Sequence, residues 1–441
     1  MIVRFSGGSL MRHLFRSLCL IVLALWFTLP AVTPGHAGSN GYTILYSFAG
    51  GPDGSYPAGE IAEDRKGNLF GTTNSGGAGC RKHGTNHDCG IIFELSAETE
   101  KPKRDKESIV YEFQKHADNP LAGVIINKSG SLFGSVSYGG INNCYRGCGA
   151  VYKRGSTGRF SILYAFKGGS DGAYPESELF MDASGNIFGT TSAGGDTGCS
   201  IDVEPGCGIV YELSPAGIET VLHKFSGVAN GDGAVSNSGL IGDASGNLYG
   251  TTIWGGSSTC ASAGCGTVFR ISPDDTETVL YAFGGGVDGG GPQAALTRDA
   301  SGNLYGTTSG GGDPNCHCGT VFKLSASGEE TVLHSFLGGD DGAFPWAGVT
   351  MDSAGNLYGT TTSGGGIVCA TESTGCGIVF SISASGKESI LHAFAGQSDG
   401  QYPTGQLLLD KSGRLVGTTD LGGGDSCSLG YGCGTVFALN K

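Results

Sequence analysis

Short apolar runs alternate with glycine-rich and Asp/Ser/Asn-rich stretches along nearly the whole chain. Residues 347–394 show the unit most clearly. Ala347–Asp352 (AGVTMD) is an apolar run, Ser353–Asn356 (SAGN) a polar break, and Leu357–Thr362 (LYGTTT) a second run. A stretch carrying glycine and cysteine follows, then Gly377–Ser383 (GIVFSIS), the break Ala384–Gly386 (ASG), and Glu388–Phe394 (ESILHAF). Runs this short with turn residues between them predict four β-strands in an antiparallel meander. Asp182–Asn186 (DASGN) and its equivalents have the composition of a hairpin turn: the acid bonds turn amides, and the glycine accepts positive φ. That reading is preferred to one in which the same Asp ligates a metal.

The unit repeats. The phrase G-N-L-[YF]-G-T-T, degenerate copies included, puts its second glycine at Gly71, Gly134, Gly189, Gly250, Gly306, Gly359 and Gly417, at spacings of 53 to 63 residues. Four strands per repeat and seven repeats predict an all-β, seven-bladed propeller with four-stranded antiparallel blades. The ends of the chain fit a ring. Tyr42–Phe48 (YTILYSF) matches the fourth strand of a repeat and Gly434–Asn440 (GTVFALN) the third, so the N-terminal strand is expected to close the last blade. Blade 2, with Phe133–Val136 (FGSV), is the most degenerate copy, and Glu98–Glu107 is a charged insertion read as solvated loop.

Strand order assigns loops to faces. With strands A to D counted from the axis outward, the short A–B and C–D turns share one face. The long D–A and B–C loops share the other, which makes it the expected working face. The D–A loops repeat D-G-x-[aromatic]-P. Candidate ligand-binding residues there are Asp53, Tyr56, Asp171, Tyr174, Asp232, Asp288, Asp341, Phe344, Asp399 and Tyr402, with the non-repeated Tyr138, Trp254 and Trp346 beside them. Acids and aromatics around a channel mouth suit a sugar or a cation. The competing reading is structural: Asp-Gly makes a tight turn, and the aromatic and proline wedge between blades.

Residues 1–37 read as a secretory signal. Arg4, Arg12 and Arg16 precede the apolar run Leu18–Leu29, and Gly35-His36-Ala37 is a cleavage site of small residues. The propeller domain is then 38–441. Its net charge moves from −14 to −17 once those three arginines leave, a surface that repels nucleic acid. No second long apolar stretch predicts a span. A soluble monomer, secreted or periplasmic, is expected.

Apart from Cys19, which lies in the signal, the cysteines fall in close pairs, one per B–C loop: Cys80/Cys89, Cys144/Cys148, Cys199/Cys207, Cys260/Cys265, Cys369/Cys376 and Cys427/Cys433. In an exported chain these read as disulfides. For Cys316/Cys318 both states stay open, since a bridge across one residue is strained. Cys80-x2-His83-x3-His87-x-Cys89 is compatible with zinc, but the other repeats keep the cysteines without the histidines, so a disulfide is preferred. His223, His334 and His392 share a D-strand position with tyrosines and are read as structural. No metal or cofactor is expected. Neither an H-E-x-x-H helix nor a phosphate loop occurs, and no catalytic residue is singled out.

The phrase Gly302–Thr308 (GNLYGTT), then Gly319–Leu324 (GTVFKL) and Glu330–Phe336 (ETVLHSF), resembles the GloVer tandem repeat of exported bacterial proteins, the choice-of-anchor group. The resemblance covers residues 41–441. It implies export and carries no catalytic residues to transfer. Members often end in a sorting anchor, whereas this chain stops at Lys441 just after a third strand, so anchoring is not expected. The functional expectation is a binding module for an extracellular carbohydrate or protein partner. A propeller hydrolase or lyase, with its site in the central channel and a polysaccharide or lactone as substrate, is the rival. A purely structural envelope component is a third reading.

Overall fold

The computed structural model describes residues 41–441 except 79–88, 98–106, 115–116, 196–198, 200–204, 259, 261–262, 367–368, 370–374, 425–426 and 428–430. The signal segment, Cys80, His83, His87 and most of the charged insertion therefore lie outside the described residues. Seven four-stranded antiparallel sheets form the blades. Blade 1 contributes Ser55–Glu63, Leu69–Ser75, Ile91–Leu95 and Glu107–Glu112 as strands A to D. The A strands of blades 2 to 6 are Ile125–Ile126, Phe180–Met181, Ile241–Gly242, Thr297–Arg298 and Thr350–Met351. Blade 7 takes Leu408–Leu409, Arg414–Thr419 and Thr435–Asn440 from the C-terminus and Thr43–Ser47 from the N-terminus. The closing pair runs antiparallel from Thr43↔Ala438 to Ser47↔Thr435, as the permuted ends predicted.

Three letters of the repeat phrase, the second glycine and the two threonines, have a physical reason. Gly71 of the B strand faces Phe93 of the C strand, and a Cβ there would lie 2.5 Å from the ring. The glycine makes a slot for a buried ring, and that ring meets the Phe ending the D strand of the preceding blade. Seven edge-to-face contacts of this kind, from Phe48–Phe93 at 5.1 Å to Phe394–Phe437 at 5.3 Å, run around the whole ring. Such pairs add to the burial of some of the largest fully buried side chains in the protein. In blades 1 to 5 the first hydroxyl bonds across to the next blade: Thr72 Oγ1 donates to Ala122 O at 2.9 Å and Thr307 Oγ1 to Ala347 O at 2.9 Å. The second closes its own turn, as Thr361 Oγ1 does on Ser363 O at 2.8 Å.

These cross-blade bonds explain one difference from the expected strands. The A strand of blade 6 is only Thr350–Met351, not Ala347–Asp352, because Ala347 O serves the neighbouring threonine rather than a ladder. The A–B turns behave as read. Asp64 Oδ1 accepts the N–H groups of Lys66 (2.7 Å) and Asn68 (2.9 Å), and Asp182, Asp243, Asp299, Asp352 and Asp410 repeat the arrangement.

On the opposite face the D–A and B–C loops are zipped together by short pairings such as Gly233↔Gly255 and Ala343↔Ser363. Among the described residues six disulfides brace this face: Cys144–Cys148, Cys199–Cys207, Cys260–Cys265, Cys316–Cys318, Cys369–Cys376 and Cys427–Cys433. The Cys316/Cys318 pair left open by the sequence is thus joined. Each bridge sits against a positive-φ glycine of the adjoining D–A loop. At Gly168 (φ 74°) a Cβ would lie 2.8 Å from Cys144 Sγ. The disulfides therefore buttress two loops rather than one. No helix among the described residues is long and apolar enough to cross a membrane.

Candidate functional site

Each D–A loop has an outer end near the rim and an inner end at the axis. At the outer end the aspartate of D-G caps its own loop and grips the preceding D strand. Asp53 accepts Tyr46 OH (2.5 Å) and Ala49 N–H (2.6 Å), and Asp171 accepts Tyr164 OH (2.5 Å) and Lys167 N–H (2.7 Å). Asp288 does the same with Tyr281 (3.2 Å) and Gly284 (2.6 Å). In three loops histidine replaces tyrosine, pairing His223–Asp232 and His334–Asp341 at 3.2 Å and His392–Asp399 at 3.1 Å. Asp232 also takes Ser226 N–H, Ser226 OH and Gly233 N–H.

A glutamate opening the next D strand completes the rim cluster. Burial, then the charge of Asp53, pushes Glu107 up to about 7, and burial with Asp232 or Asp288 does the same at Glu277 and Glu330. Burial would also raise Asp232 and Asp341, but the bonds from His223 with Ser226, and from His334 with Leu337, hold both below the usual range. At two junctions an aromatic replaces the glutamate: Tyr42 stacks on His392 at 3.7 Å and Phe160 on Tyr111 at 3.8 Å. His223, Asp232 and Glu277 bring one ligand atom each within 4.8 Å of one another. The same trio recurs with a phenol for the imidazole at Tyr46/Asp53/Glu107 and Tyr281/Asp288/Glu330, which suits hydrogen bonding rather than an ion.

The aromatic of D-G-x-[aromatic]-P is held differently. Tyr56, Tyr174, Phe344 and Tyr402 all have φ between 56° and 59°. A bulky side chain in the left-handed region is strained. Two backbone bonds fix the position: Phe344 N–H donates to Cys318 O (2.8 Å), and its carbonyl accepts from Thr362 N–H (3.1 Å). Val235 and Gly291 make the same two bonds in their loops, so the loop does not need a ring there. The proline after it does wedge between blades, as Pro345 Cδ lies against Gly319.

The candidate residues thus divide by place. The six aspartates are occupied at the rim. Tyr138 and Tyr174 meet edge to face at 5.8 Å across one junction, with Arg146 over the Tyr138 ring at 4.2 Å. Trp254, 38% exposed, pairs in a two-residue ribbon with Ala234. Tyr56, Phe344, Trp346 and Tyr402 are brought together around blades 6, 7 and 1, where they line a cavity of about 390 Å³ with Leu421. Trp346 is 50% exposed and Phe344 36%.

That cavity shares Trp346, Thr404 and Asp420 with a second, of about 280 Å³, at the channel mouth. All seven blades line the mouth through the residue that follows the proline or its equivalent: Ala58, Leu121, Glu176, Asn237, Gln293, Trp346 and Thr404. No two of these are alike, so the mouth has no symmetry. Asp420, after the second Thr of blade 7, accepts Thr404 Oγ1 at 2.9 Å, and burial pushes its carboxyl up to about 6. Asn237 Oδ1 is buried without a partner among the described residues. Below the mouth Glu60, Glu178 and Gln406 fill the channel where other blades supply Gly123, Gly239, Ala295 and Gly348. Glu178 accepts Glu60 N–H at 2.8 Å. Burial, then Glu178, drives the Glu60 carboxyl well up, and burial raises Glu178 against the pull of that N–H. None of Glu60, Glu176, Glu178, Asn237, Gln293, Gln406 and Asp420 stands out in the sequence, because each is an isolated polar residue outside the repeated motif and the rare aromatics.

The model of the Gloeobacter/Verrucomicrobia repeat matches residues 31–201 and 199–437. Among solved structures, virginiamycin B lyase from Staphylococcus aureus superposes with a TM-score of 0.54 at 12% identity, over 91% of this chain and 99% of that one. The extracellular domain of a proposed one-component system from B. thetaiotaomicron gives 0.52 at 14% identity, over 90% of this chain and 41% of that one. Likeness at such identity shows the fold and no more. No curated protein matches the chain.

Proposed function

The chain belongs to the Gloeobacter/Verrucomicrobia repeat family, and from that premise we propose that it is an exported binding module that holds an extracellular carbohydrate at its channel mouth. One observation carries the reading: Tyr56, Phe344, Trp346 and Tyr402 gather on one side of the mouth, beside the polar lining residues. Three of these rings sit in strained backbone that their loop can build without them. Strain kept without a folding need points to use. Rings beside a few hydrogen-bonding groups in a concave site suit a sugar, whose apolar face stacks while its hydroxyls bond.

Export is part of the proposal. Six disulfides suit the oxidising compartments where such bonds persist. The likeness to a lyase, at 12% identity, does not lend its reaction to this chain. The test is a glycan array on oxidised residues 38–441, with and without calcium. Saturable binding that drops about tenfold or more in Trp346→Ala, at unchanged Tm, supports the reading. Binding that survives both Trp346→Ala and Tyr402→Ala would sink it. Turnover of a bound polysaccharide that stops in Asp420→Asn would move the site to the enzymes.

A further inference from the structure

We infer that the mouth selects a sugar bearing a free amine, a 2-amino-2-deoxyhexose unit, over neutral and acidic sugars. The inference rests on the carbohydrate reading above and deepens it. Its basis is charge. Glu176 and Asp420 line the mouth from blades 3 and 7, and Glu60 and Glu178 stand beneath it. Among the described residues lining these cavities there is no lysine, arginine or histidine. A cleft with low-dielectric walls and one sign of charge focuses its field on a ligand of the opposite sign. An acidic sugar would bring a carboxylate into that field and be repelled.

The repeat itself does not call for acids at these positions, although Glu178 accepts the Glu60 N–H and Asp420 the Thr404 hydroxyl. The positions equivalent to Glu176 hold Ala58, Leu121 and Thr404, those equivalent to Asp420 hold Ser192, Ser309 and Thr362, and those equivalent to Glu60 and Glu178 hold Gly123, Gly239 and Gly348. The blades close equally well with small or neutral side chains. Burial without a basic neighbour raises Asp420 to about 6 and lifts Glu60 and Glu178 too. An ammonium placed among them restores the ionised form and relieves that cost. The aromatic wall and the acids then divide the work: Trp346 and its neighbours take the ring face, and the carboxylates take the amine.

The experiment is calorimetry on oxidised residues 38–441 with three tetrasaccharides: the fully de-N-acetylated glucosamine oligomer, its N-acetyl counterpart, and a uronate oligomer. Near pH 6.5 the amino oligomer is expected to bind about tenfold or more tightly than the N-acetyl form, and the uronate not measurably. Asp420→Asn keeps an oxygen for Thr404, and Glu178→Gln keeps one for the Glu60 N–H. Both therefore preserve the fold, which a Tm within a degree or two verifies. Each is expected to cut the amine preference, read as the ratio of affinities for the amino and N-acetyl oligomers, about fivefold. Lowering the pH below about 6, where Asp420 takes up its proton, shrinks the preference in the parent protein. Equal affinities for amino and N-acetyl forms, or tighter uronate binding, overturn the inference and leave the carbohydrate site standing. Failure to bind any glycan removes both.

Discussion

The two ends of the D–A loops follow opposite rules. At the rim one solution recurs: a carboxylate, a ring that hydrogen-bonds it, and a glutamate or aromatic stacked from the next blade. At the mouth nothing recurs: the residue after the proline or its equivalent is different in every blade. Repetition marks what each blade must do to hold its neighbour. Variation marks what the ring does once, as a whole. The rim has the acids that look functional from sequence, and the mouth has the acids that the repeat does not call for.

The largest expected effect lies at the rim. Asp232→Ala removes acceptors from His223, Ser226 and Gly233, and is expected to cost about 2–3 kcal/mol of stability in urea unfolding. Glycan affinity of the folded variant should not move. Next comes the pH dependence of the rim glutamates. Glu107, Glu277 and Glu330 have folded pKa values near 7, above the usual carboxyl range, so the native state binds more protons between about 4.5 and 7. Stability from these groups is then full below that window and falls as pH rises through it. Tm should be higher near pH 5 than near pH 8, and Glu277→Gln should flatten the profile. Asp232 and Asp341 run the other way, with depressed values whose contribution is lost only as pH drops below the ordinary carboxyl range. The smallest effect, and the opposite sign, belongs to the mouth. Asp420→Asn should stabilise the protein by about 1 kcal/mol near pH 7, because it removes a buried charge, and the gain should vanish below about pH 4. A mouth acid that proves stabilising at neutral pH would erase the contrast between the two regions.

Much of this was legible in the sequence, for reasons that the contacts make plain. Gly71 and its equivalents are readable because a ring must fit over them, and Thr72 and its equivalents in blades 2 to 5 because a hydroxyl must reach the next blade. The A–B turn aspartates and the strand borrowed from Thr43–Ser47 follow from the same repetition. The D-G aspartates were visible but ambiguous: only the structure shows that their oxygens already have partners. Three of the rings found together, Tyr56, Phe344 and Tyr402, were marked by the motif, and Trp346 by its rarity. The mouth acids were missed because residues in blades 1, 3 and 7 meet only after the ring closes. Aligning the seven loops and asking which position varies most would have found the column Ala58, Leu121, Glu176, Asn237, Gln293, Trp346, Thr404.

The most direct test pairs one variant from each region and reads two quantities on both: Tm, and affinity for the tightest-binding glycan. Trp346→Ala, at a half-exposed side chain, is expected to leave Tm in place and lower affinity by about tenfold or more. Asp341→Ala, which strips His334 and Leu337 N–H of their acceptor, is expected to lower Tm by a few degrees and leave affinity unchanged. The account is contradicted if the two readouts swap, with the rim variant losing the ligand and the mouth variant losing only stability.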